Sequence, residues 1–92
     1  MASFYNIFIR PKAGVSDDQV EEKMNLALDW YKYSSNNWLV KSSSNAAKWQ
    51  TRLKPLVEPD GSLVILKVDP SERQGWTAKG FWEWYKKARS DA

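Results

Sequence analysis

The stretch Trp30-Tyr31-Lys32-Tyr33-Ser34-Ser35-Asn36-Asn37-Trp38-Leu39-Val40-Lys41 constrains the fold of this 92-residue chain more than any other. Short polar side chains at 34–37 hydrogen-bond nearby backbone, and asparagine tolerates positive φ, so this is turn chemistry. Aromatic and β-branched residues on either side read as two strands, 29–33 and 38–42, joined as a hairpin. A hairpin in mid-chain dictates what its flanks must supply. Upstream, Phe4–Ile9 reads as a strand stopped by Pro11. Ser16 then stands three before Gln19 as a capping box, Val15 and Val20 form a hydrophobic staple, and Asp17 and Asp18 fall in the first helical turn. The helical spacing of Val20, Met24, Ala27, Leu28 and Tyr31 overlaps the strand pattern at 30–33. Because a hairpin needs both arms, the helix is predicted to end near Leu28.

Downstream, Ser43 or Ser44 is placed to cap a second helix with Ala46, Trp49, Leu53 and Leu56 on one stripe and Pro55 near its end. Glu58-Pro59-Asp60-Gly61 is a turn into Ser62–Val68, an almost continuous apolar run expected of a strand buried on both sides. Asp69-Pro70 ends it. After a polar loop, Thr77 is placed to cap a last helix from Ala78 to about Arg89. The order is β-α-β-β-α-β with an added C-terminal helix: an α+β, ferredoxin-like antiparallel sheet in a single domain, 1–92. Tyr5, Ile7 and Ile9 share one face of the first strand and are expected to meet the helices. Phe4, Asn6 and Phe8 share the other, which needs a cover or a partner.

Composition narrows the chemistry. The chain has no Cys and no His, which excludes disulfides, thiolate nucleophiles, imidazole bases and Cys- or His-ligated zinc. Six Trp, four Tyr and three Phe allow a short chain to bury a substantial core, so no cofactor is needed to explain folding. No long apolar segment or basic leader is present, and a cytoplasmic location without membrane association is expected.

The net charge of +3 is unevenly spread. Residues 30–57 carry Lys32, Lys41, Lys48, Arg52 and Lys54 without one acid, interleaved with aromatic rings. Cations for phosphates and rings for bases are what a nucleic-acid groove requires, so Lys41, Lys48 and Arg52 are candidate phosphate contacts, with Trp38 and Tyr33 as stacking candidates. A solvated helix face with edge-strand lysines accounts for the same residues without a ligand. In the last helix Phe81, Trp84, Tyr85 and Ala88 form one stripe while Trp82 points elsewhere, near Lys79 and Lys86. Rings around so much of a helix suggest burial between two surfaces, which makes Phe4, Phe8, Trp82 and Tyr85 candidate interface residues. Asp18 with Glu22, one turn apart, and Asp69 with Glu72 are the acids to consider for a metal, although Asp17, Asp18, Glu21 and Glu22 also simply suit a helix N-terminus.

The segments Trp38-Leu39-Val40-Lys41-Ser42, Arg52-Leu53-Lys54-Pro55-Leu56, Asp60–Val68 and Gly75-Trp76-Thr77 before Phe81-Trp82-Glu83-Trp84 resemble the small CRISPR-adaptation-endonuclease-like proteins and their bacterial and phage relatives, over about residues 4–85. That resemblance implies a ferredoxin-like homodimer packed sheet to sheet, in a family where some members are proposed metal-dependent nucleases and others are non-catalytic scaffolds for DNA. The family's metal-binding Asp lies at the end of the first strand. Here that place reads Ile9-Arg10-Pro11-Lys12, and a cation repels Mg²⁺, which needs hard oxygen ligands. The expectation is therefore a non-enzymatic, homodimeric binding or scaffold module, with nucleic acid as a candidate partner. The alternatives are a metal-dependent nuclease and a pure protein–protein interaction module.

Overall fold

The computed structural model describes residues 2–90 and has the predicted α+β, ferredoxin-like order. Its elements are β1 (Ser3–Arg10), α1 (Asp17–Met24), β2 (Asp29–Ser34), β3 (Asn37–Ser42), α2 (Ala46–Val57), β4 (Ser62–Val68) and α3 (Lys79–Ser90). The sheet is antiparallel in the order β2-β3-β1-β4. Among the described residues no helix is long and apolar enough to cross a membrane.

Local chemistry explains the element ends. The Ser16–Gln19 capping box forms in full, with Ser16 N–H donating to Gln19 Oε1 at 2.8 Å. The first helix stops at Met24, four residues before the predicted end near Leu28. Asn25 takes the C-cap and its Oδ1 accepts from Trp30 Nε1 at 2.9 Å, while Leu28 N–H already donates to Lys41 O at 2.9 Å. Strand pairing thus begins earlier than helical spacing suggests. The second helix is capped by Asn45 instead of Ser43 or Ser44: its Oδ1 accepts from Lys48 N–H at 2.9 Å, whereas Ser42 Oγ accepts from Ser44 N–H. Entry to β4 depends on Gly61, where a Cβ would run into the carbonyl oxygens of Arg10 and Val57.

The two sheet faces bury different clusters. On the inner face Tyr5, Ile7, Ile9, Trp38 and Val40 meet Val20 and Met24 of α1 and Trp49, Leu53 and Val57 of α2. Trp49 is fully buried, and its Nε1 donates to Ser42 Oγ at 3.0 Å, which satisfies its polar edge. On the outer face Phe4 and Leu39 meet Phe81, Tyr85 and Ala88. The predicted stripe of α3 therefore closes on the chain's own sheet. The expectation that β4 is buried on both sides is corrected: it is an edge strand, with Val64 and Leu66 exposed, because among the described residues β1 is its only neighbour in the sheet.

Candidate binding site on the outer sheet face

Alternation along β1 sends Phe4, Asn6, Phe8 and Arg10 outward, and the register brings Lys41, Leu39 and Asn37 of β3 beside the first three of these. Helix α3 lies over only part of this face. Phe81 is its hub, edge-on to Tyr31 at 5.5 Å, tilted on Tyr33 at 5.6 Å and stacked on Tyr85 at 6.0 Å. Lys41, only 6% exposed, reaches the last turn of the helix and donates from Nζ to Ala88 O at 2.9 Å. A cation at this end suits a carbonyl of the last turn and the negative pole of the dipole.

Beyond α3 the face is open. Phe8 pairs with Val64 and Asn6 with Leu66; Phe8 is half-buried, whereas Val64 and Leu66 are 48% and 57% exposed. Between this strip, residues 69–77 and α3 lies a recess of about 510 Å³, bordered by Asn6, Tyr33, Asp69, Trp76, Trp82 and Tyr85. The Tyr33 hydroxyl donates to Asn6 Oδ1, and the Tyr85 hydroxyl donates to Pro70 O. Burial pushes both phenols up from their ordinary value; at Tyr85 the Arg73 and Arg89 charges oppose that rise. The Arg73 guanidinium lies 5.4 Å from the Tyr85 ring centre. At the rim, Asp69 accepts from Ser71 Oγ at 2.7 Å and Ser71 N–H at 2.9 Å, and these bonds hold its carboxyl below the usual range. Trp76 is fully exposed. The recess thus offers rings and mixed charge in place of a positive field.

The residues singled out as nucleic-acid contacts are divided by the fold. Trp38 is buried on the inner face, tilted against Trp30 at 4.8 Å with Lys32 Nζ 5.3 Å from its ring, and it has no face free for a base. Lys41 is buried under α3 and occupied there. Lys48 is exposed on α2, and Arg52 is half-buried with its guanidinium 4.9 Å from the Trp49 ring and Nη1 lacking a hydrogen-bond partner. Tyr33 opens on the opposite side of the sheet from both. The block is acid-free only in sequence, since Lys32 meets Asp17 at 3.4 Å and Lys54 meets Glu58 at 3.8 Å.

Of the interface candidates, Phe4 and Tyr85 are buried within the chain, while Phe8, in the strip, and Trp82, at the recess, stay partly exposed. Trp82 turns to Phe81 and Tyr85, edge-on at 5.0 and 6.0 Å, and not to Lys79 or Lys86. At the end of β1 the Arg10 guanidinium donates to Ser62 Oγ at 2.9 Å. Asp18 and Glu22 are exposed on α1, and among the described residues no three acidic side chains are grouped to hold a metal ion. Trp76, one of the tryptophans not assigned to an apolar stripe by spacing, is fully exposed, whereas Val64 and Leu66 are not singled out by the sequence; the alternation in Ser62–Val68 points to them once β4 is known to be an edge. No family model, curated protein or solved structure matches this chain.

Proposed function

We propose that this protein is a non-enzymatic binding module that docks a protein partner on the open part of its outer sheet face. The observation that carries this reading is the contiguous strip of Phe8, Val64 and Leu66, left uncovered beside a ring-lined recess although a third helix lies on the same face. Exposed apolar side chains in a cluster mark interaction sites, and Trp and Tyr at the border are the residue types that dominate interface energetics. Nucleic acid is the weaker occupant. Phosphate binding needs several free cations converging on one groove, and here Lys48 and Arg52 lie across the sheet from Tyr33.

A peptide-library selection against the folded domain separates the two readings. Selected apolar peptides are expected to lose about tenfold or more in affinity for Leu66→Asp and to bind Lys48→Glu unchanged. Oligonucleotide binding at low salt that disappears in Lys48→Glu, with no peptide sensitive to Leu66→Asp, would overturn the proposal.

A further inference from the structure

The two sheet edges differ in how they are protected. Edge strand β2 carries Asp29 and Lys32, and its pairing with β3 breaks between Lys32 and Ser34. Charges and irregularity of that kind discourage a second chain. Edge strand β4 is the reverse: seven residues in unbroken register with β1, apolar except for Ser62 and Lys67, with its outer backbone edge unpaired in the sheet.

We infer that β4 pairs antiparallel with β4 of a second copy, joining two sheets into one of eight strands. A twofold axis at Ile65 overlaps all seven residues, places Val64 opposite Leu66 of the other copy on the outer face, and sets Lys67 opposite Leu63 on the inner face. The inner-face match argues for a copy of this chain over another peptide. Leu63 borders a recess of about 630 Å³ between α2 and β4 that is also lined by Glu58 and by Lys54, its ion-pair partner at 3.8 Å. An incoming Lys67 therefore meets a solvent-exposed Lys54–Glu58 pair and joins it on the carboxylate side, twice by symmetry, while its stem covers Leu63 and Ile65. On the outer face the two open strips become one apolar trough between the two α3 helices. This seam rests on the strand edge, independently of what docks on the face.

The chain's lack of cysteine makes cross-linking a direct test. Residues opposite each other across an antiparallel pair have Cβ atoms about 4.5–5.5 Å apart, within reach of a disulfide after small adjustment. Under oxidation Ile65→Cys is expected to form a covalent dimer, and Leu26→Cys, exposed away from the seam, is not. In sedimentation equilibrium, Lys67→Glu is expected to weaken the dimer about tenfold, and Lys67→Glu with Glu58→Lys to restore it. A dimer that neither cross-links through Ile65→Cys nor responds to Lys67→Glu overturns the β4 seam and leaves the docking proposal standing. So does a wild-type chain that stays monomeric at high micromolar concentration.

Discussion

The inner face of the sheet is roofed by two helices and the outer face by one, and the outer face carries more rings per helix. On the inner side α1 and α2 contribute Val20, Met24, Trp49, Leu53 and Val57, and aliphatic side chains do most of the filling. On the outer side α3 contributes Phe81, Tyr85 and Ala88 with half-buried Trp82 and Trp84, so wide aromatic side chains substitute for a missing second helix. They succeed over β2, β3, the start of β1 and the end of β4 at Val68, and they leave Val64 and Leu66 exposed. Area per residue allows one helix to shield much of a sheet, but helix diameter limits how many strands it spans. The uncovered remainder is where binding is proposed.

The contrast breaks most sharply at the two hubs. Trp49→Ala is expected to cost about 3–5 kcal/mol in urea unfolding, by cavity formation and loss of the bond to Ser42. Phe81→Ala, at the edge of solvent, should cost about 2–3 kcal/mol. Equal costs would show that the outer cluster is as integral as the inner one. Lys41→Ala removes the buried bond to Ala88 O and should cost about 2 kcal/mol, read most clearly as faster amide exchange in the last turn of α3.

Alkaline titration sharpens the comparison further, because Tyr33 and Tyr85 both belong to the outer side. Their phenols are raised above 10.0, so the folded chain keeps protons that the unfolded chain releases. Stability should hold below about pH 10 and fall as pH climbs through the raised values. Tyr85→Phe is expected to flatten that fall at a cost near 1 kcal/mol at neutral pH, and an unaltered alkaline limb would remove Tyr85 from the account. The smallest stability effect belongs to Leu66→Asp, within about 0.5 kcal/mol of wild type in thermal unfolding at concentrations where the chain is monomeric, since the side chain is already 57% exposed there.

Much of this was readable locally. The capping box at Ser16, the turn at Ser34–Asn37 and the stripe on α2 each depend on residues within a few positions of one another, and the structure repeats them. Leu28 and β4 show where that reach ends. Helical spacing continues past Met24, but Lys41 O captures Leu28 N–H from thirteen residues away. The apolar run Ser62–Val68 suits a central strand as well as an edge, and only the sheet order distinguishes them.

Lys41 and Trp38 carry the same lesson at the site. A lysine and a tryptophan in a basic stretch suit a groove, yet alternation along β3 sends them to opposite faces, each beneath a helix supplied by another part of the chain. From residue order alone, this protein was bound to alternate strands and helices in a ferredoxin-like sequence, with Phe4 and Phe8 on the face away from Ile7 and Ile9. Which cations remain in solvent, which rings are used internally and which edge stays open followed only from the packing of α3 and the position of β4. Those outcomes depend on contacts between residues far apart in the chain, for which local periodicity carries no signal.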